Sequence, residues 1–182
     1  MIKKKVVIRS LIRLAITDSH PSALLGIQSV LGEMDECEIV GTIGGSDDVI
    51  VFLEQFPCDL LIISYGATEE VMWRDIELDI IRRIHPNLKI VVLTSQEGIN
   101  AVNLLRKKGV HCIVSKADHP ENLVFAVRIA HAGGAYLSPT IAAISCTPSL
   151  NESEHVAGFT QRIDQRCHCW TGRSTKPLYN PG

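Results

Sequence analysis

Short runs of β-branched and aliphatic residues alternate strictly with longer segments of helical period, and this alternation limits the chain to very few folds. The first run is Ile12–Thr17, ended by Asp18, Ser19 and His20. Pro21 suits the first turn of a helix, and Leu24, Leu25, Ile27, Gln28 and Leu31 give it a stripe at three-to-four spacing. The second run is Glu38–Ile43. Gly44 and Gly45 make a turn, Ser46 or Asp47 caps, and Val49, Ile50, Phe52 and Leu53 line the next helix. The third run, Asp59–Ser64, is followed by a loop from Tyr65 to Arg74 and a helix marked by Ile76, Leu78, Ile80, Ile81 and Ile84, stopped by Pro86. The fourth run, Lys89–Thr94, leads to a helix carrying Ile99, Val102, Leu104 and Leu105. Lys107, Lys108 and Gly109 suit that helix's end. The fifth run is Val110–Ser115. Asp118 is expected to cap a last helix with Leu123, Val124, Val127 and Ile129, ended by Gly133 and Gly134.

The middle of the third run is apolar throughout, as in a strand buried on both faces. Such strands belong to parallel sheets covered by helices, and strict alternation makes the crossovers right-handed. The reading is an α/β fold with a doubly wound five-stranded parallel sheet of flavodoxin-like order 2-1-3-4-5. In such sheets chemistry gathers at the carboxyl ends of the strands, which places Asp18, Ser19, Ser64, Thr94 and Lys116 at one edge.

Composition narrows the function classes. Hydrophobic residues make up 46% and charged residues 21%, a balance that can build a core. With 18 basic against 20 acidic residues, no overall charge draws the chain to nucleic acid or membrane. Aromatics at 5% supply no stacking platform for single strands. No apolar run is long enough to span a bilayer. The basic start at Met1–Arg13 mimics a signal peptide, but Arg9 and Arg13 interrupt its apolar part and no small-residue cleavage site follows. The six cysteines do not form a disulfide framework, and Cys37, Cys58 and Cys112 sit in apolar stretches. A cytoplasmic, reducing location is expected.

Ile16–Pro21, Asp59–Ser64, Val91–Thr94, Gly109–Lys116 and Ala132–Pro139, in that order and at that spacing, resemble the receiver domain of bacterial two-component response regulators. The resemblance covers Ile12 to Ser145 and is nearest the NarL/FixJ class, particularly its RcsB-like members. It implies a CheY-like receiver and phosphorelay signal transduction in transcription regulation. It also implies an aspartate phosphoacceptor after the third strand, a pair of acidic residues holding Mg²⁺ after the first, and a Thr or Ser and a Lys contacting the phosphoryl oxygens. Asp18, Thr94 and Lys116 match that pattern. Ser19 stands at the second acidic position and Ser64 at the phosphoacceptor position. The residues after Ser64 also lack the family's Met-Pro-Gly pattern.

These departures matter chemically. Mg²⁺ requires hard oxygen ligands, and two of three carboxylates are absent, so Mg²⁺ binding is expected to be weak or absent. A serine hydroxyl cannot form an acyl phosphate and is a poor nucleophile without a base. The expectation is a pseudo-receiver with no catalytic residue, acting by protein contact, in which Lys116 pairs with Asp18 as a relic of the old site. In the family the partner face uses the fourth and fifth helices, here Gly98–Lys108 and Pro120–His131, toward a second copy or another response regulator. His20 before Pro21 reads as a turn residue, without the helical setting of a histidine-kinase phosphohistidine. Asp18, Ser19 and His20 imitate a hydrolase triad in composition only, because three consecutive residues cannot converge on one reacting atom.

The organisation read from sequence is an N-terminal extension at 1–11, a receiver-like domain at 12–145 and an irregular tail at 146–182. The stretch from Asn151 carries four basic against three acidic residues and no sustained apolar period, so no direct DNA binding is expected. Leu150–Glu154 and Gly172–Lys176 echo the opening and the recognition-helix lead of a LuxR-type helix-turn-helix, consistent with a remnant disrupted by a change of reading frame. Cys167, His168 and Cys169, with His155, invite a zinc reading, but adjacent ligands rarely reach one metal. Two rivals remain: a regulator phosphorylated at a non-standard acceptor, and an unrelated flavodoxin-like ligand-binding domain or small enzyme. Against the second, no glycine-rich phosphate loop follows the first run.

Overall fold

The computed structural model describes residues 11–44, 49–65, 78–95 and 98–146. The expected cap at Ser46 or Asp47, the loop after Tyr65, the helix position Ile76 and everything said of the tail beyond Cys146 lie outside these residues.

Six parallel strands form one sheet: β1 (Ile12–Thr17), β2 (Cys37–Ile43), β3 (Leu60–Tyr65), β4 (Lys89–Thr94), β5 (Cys112–Ser115) and β6 (Tyr136–Leu137), in the order β2-β1-β3-β4-β5-β6. The first five follow the 2-1-3-4-5 order expected from sequence, so this is the receiver-type α/β fold. The sixth strand corrects the expected count. Two residues between a glycine pair and Ser138-Pro139 are too few to show any period, yet they pair with Cys112 and Ile113 of β5.

The helices are α1 (Pro21–Gly32), α2 (Val49–Gln55), α3 (helical over 78–84), α4 (Ile99–Lys107), α5 (Glu121–His131) and α6 (Pro139–Ser145). They cover both sheet faces. Leu60 and Ile62 of β3 pack with Ile27 and Leu31 of α1 and with Leu123, Ala126, Val127 and Ala130 of α5. Leu61 and Ile63 pack on the opposite face with Leu53, Leu78, Ile81, Val102, Leu105 and Ile141. The period-2 alternation of β3 therefore feeds two cores, and that is why its sequence is apolar without a break. Single positions depart from the expected stripes: Leu25 is 67% exposed, and Ile84 and Leu104 are also exposed.

Asp118 is a further correction. It does not cap α5, whose N-cap position is Pro120. Its carboxylate instead accepts bonds from Thr140 N (3.1 Å) and Thr140 Oγ1 (2.7 Å), satisfying the first turn of α6 from another part of the chain.

Two arginines tie the amino ends of the strands. Arg13 donates its backbone N–H and side chain to Asp59, at 2.9 to 3.3 Å, joining the starts of β1 and β3. Arg82 donates through Nη1 to Leu88 O (3.0 Å) and through Nη2 to Gly109 O (2.7 Å), and burial lowers its pKa. Gly109 follows α4 at φ +76°, a left-handed conformation that favours glycine, so the expected helix stop is also a conformational requirement.

Substituting Ile62, fully buried between the two helix layers, by Ala should cost about 2–5 kcal/mol in a denaturant titration. The same change at exposed Leu25 should stay within about 0.5 kcal/mol.

Candidate functional site

Parallel register brings the carboxyl ends of β1, β3, β4 and β5 level. Thr17 is in register with Ile63, so Asp18 leaves β1 beside Ser64. Thr94 is in register with Tyr65 on one side and Ser115 on the other. Four of the five residues expected at this edge, Asp18, Ser64, Thr94 and Lys116, come together there. Asp18, Ser64 and Thr94 are almost fully buried.

Asp18 is the hub. Its Oδ2 accepts a bond from Lys116 Nζ at 3.2 Å. Its Oδ1 accepts the His20 backbone N–H at 2.7 Å and lies 3.1 Å from His20 Nδ1. Ser64 hydrogen-bonds the same carboxylate. Burial alone would raise the Asp18 pKa. The Ser64 hydroxyl, the His20 amide, the Lys116 charge and the His20 ring outweigh burial, and the pKa lies below the ordinary carboxylate range.

Ser19, the fifth residue, does not join the buried group. It is exposed, and its hydroxyl meets His20 Nδ1 at 3.2 Å. Ser19 and Asp18 thus both approach the same ring nitrogen. A hydrolase relay needs the hydroxyl and the carboxylate on opposite nitrogens, so these three residues do not form a triad.

Lys116 is held from behind. Its backbone N–H donates to Thr94 O at 2.8 Å. Ser115 N–H donates to Ser138 Oγ at 2.9 Å, and Ser115 Oγ accepts from Ala117 N at 3.0 Å. With the Asp118–Thr140 bonds, these fasten the Lys116 loop to β6 and α6. Sequence reasoning missed this support, because no local pattern connects 115–118 with 138–140. The His20 contact was closer to legible, since an Asp commonly bonds the backbone N–H two residues on.

The described residues do not fit the divalent cation that the receiver resemblance implies. Among the described residues the pocket offers one carboxylate, that of Asp18, and N–H donors already occupy both of its oxygens. Among the described residues no group of three His, Cys, Asp or Glu side chains is arranged to hold a metal. Also among the described residues, no helix is long and apolar enough to cross a membrane.

Comparison with known proteins gives the class. No family model matches the chain. The transcriptional regulatory protein DegU of Brevibacillus brevis is 24% identical over 130 residues, covering 71% of this chain and 54% of DegU. The response regulator GacA of Pseudomonas aeruginosa is 24% identical over 157 residues, covering 82% of this chain and 69% of GacA. Among solved structures, the isolated REC domain of RcsB from Salmonella enterica serovar Typhimurium superimposes with a TM-score of 0.68 at 22% identity. It covers 74% of this chain and 99% of that domain. A LuxR-family response regulator from Aurantimonas sp. gives 0.66 at 19% identity, over 75% of this chain and 96% of that one. The chain has the fold of response-regulator receivers, and its sequence is similar to response regulators that are themselves longer.

The Asp18 shift has a pH consequence. Because folding lowers its pKa, Asp18 contributes stability in full above the unfolded value, about 3.9, and loses it as pH falls through the folded value. Asp18→Asn should flatten the acid limb of the stability curve below about pH 4. Lys116→Met should cost about 1–3 kcal/mol at neutral pH, toward the low end because water reaches Lys116, and should move the acid limb to higher pH.

Proposed function

We propose that this chain is a pseudo-receiver: a response-regulator-like signalling protein of two-component transcriptional regulation that works by protein contact, without aspartyl phosphorylation and without catalysing a reaction. One observation carries the reading. Where an acceptor carboxylate would stand, the Ser64 hydroxyl bonds to Asp18, and Asp18 is paired with Lys116. The cation that would meet a phosphoryl group is held by a resident carboxylate, and no acyl phosphate can form on a hydroxyl.

On this reading Ser64 occupies the phosphoacceptor-equivalent position, Asp18 and Ser19 the acidic-pocket positions, and Thr94 and Lys116 the switch-equivalent positions. Incubation with acetyl phosphate and Mg²⁺ should give no adduct labile to both acid and alkali, the signature of an acyl phosphate, in intact-mass measurements. Such an adduct would overturn the reading. Ser19→Asp combined with Ser64→Asp restores the missing carboxylates and should recover measurable Mg²⁺ binding by calorimetry.

Contact is proposed through Gly98–Lys108 and Pro120–His131, toward a second copy or another response regulator. Exposed Leu104 on α4 and Phe125 on α5 give these helices apolar outer positions. RcsB itself has been solved as two dimers bound to two parallel DNAs. Here residues 146–182 are proposed to add no DNA-reading element. Sedimentation should show concentration-dependent association that Phe125→Glu weakens. A chain cut after Ser149 should associate equally well and keep its thermal midpoint.

A further inference from the structure

His20 sits at the mouth of the carboxyl-edge site, and the structure gives it a chemical setting that its place before Pro21 does not suggest. Its side chain is 70% exposed. Its backbone N–H is anchored on Asp18 Oδ1 at 2.7 Å, and the same oxygen lies 3.1 Å from Nδ1. A carboxylate beside a ring nitrogen selects the tautomer with the proton on that nitrogen, leaving the lone pair on Nε2. Among the described residues nothing bonds Nε2. The carboxylate is itself buried and tied to Lys116 and Ser64, so it keeps its place when the ring reacts.

His119 supplies an internal contrast. Its side chain is 71% exposed, but its Nδ1 accepts the Glu121 backbone N–H at 3.4 Å. The Glu121 carboxylate lies 3.8 Å from the same nitrogen but is itself exposed, so no buried carboxylate fixes the His119 ring. Of these two equally exposed rings, only that of His20 is backed by a buried carboxylate.

We infer that His20 Nε2 is a phosphoryl acceptor for small donors with a labile P–N or acyl P–O bond. With phosphoramidate, the Nε2 lone pair attacks phosphorus, the donor's P–N bond breaks, and ammonia leaves with its three hydrogens. The Nδ1 proton stays on the ring, and the positive charge it then carries faces Asp18. Lys116, on the other oxygen of Asp18, and the amino end of α1, which begins at Pro21, add positive potential near the incoming phosphoryl group. The inference rests on the pseudo-receiver reading only in that no carboxylate competes as acceptor.

The test treats the full chain with phosphoramidate at neutral pH and maps the adduct under non-acidic conditions. The expected result is one phosphoryl group on His20, labile to acid and stable to alkali. It should be absent in His20→Gln, a change at an exposed position that leaves the core intact. Asp18→Asn should slow its formation roughly tenfold or more. If that variant does not fold, nitrogen-15 spectra of the wild-type ring replace it, and a proton found on Nε2 of His20 overturns the inference. It is also overturned by no adduct, by equal labelling of His20 and His119, or by attachment to Nδ1. An acid-stable adduct on Ser64 overturns it too and leaves the pseudo-receiver reading standing. An adduct labile to both acid and alkali would defeat that reading as well.

Discussion

A parallel sheet buried on both faces leaves its polar side chains only one place to converge, the ends of its strands. In this protein Leu60 to Ile63 are essentially inaccessible to water, and each alternate residue enters a different core. Helices must therefore cover both sides, and every connection must cross over in the same hand. The chain then emerges from β1, β3, β4 and β5 along one edge, where Asp18, Ser64, Thr94 and Lys116 are the first residues free to differ from the core. The site is a by-product of the burial pattern, and its chemistry depends on which side chains stand there.

That dependence explains how much could be read in advance. Runs of β-branched residues and the stripes between them announced five strands and their order, because burial imposes period on sequence. Thr94 and Lys116 were legible because they terminate such runs. The two-residue β6 imposes no period. The partner of Asp118 lies 22 residues away in Thr140, and nothing local marks it. His20 was visible as a turn residue, but the orientation of its ring depends on a carboxylate whose own position is fixed from β3 and β5.

The Asp18–Lys116 pair is held in place by electrostatics. A buried carboxylate without a partner would be costly, and removing the cation alone would expose that cost. Neither residue is readily replaced by itself, whether or not the pocket ever meets a phosphoryl group. Likeness to receivers at these positions therefore says as much about electrostatic balance as about signalling. The informative positions are Ser19 and Ser64, where this chain carries a hydroxyl and the receiver resemblance implies a carboxylate.

Arg82 carries a consequence for how the structure comes apart. Its guanidinium spans two carbonyls, Leu88 O before β4 and Gly109 O after α4, which lie in separate turns. A lysine in its place has a single ammonium and lacks the rigid fork that holds both. Because one planar group closes both turns, freeing either strands part of a half-buried charge. The two turns should therefore share one opening event, and their amides should exchange hydrogen with solvent as a single unit although Leu88 and Gly109 lie 21 positions apart in the chain.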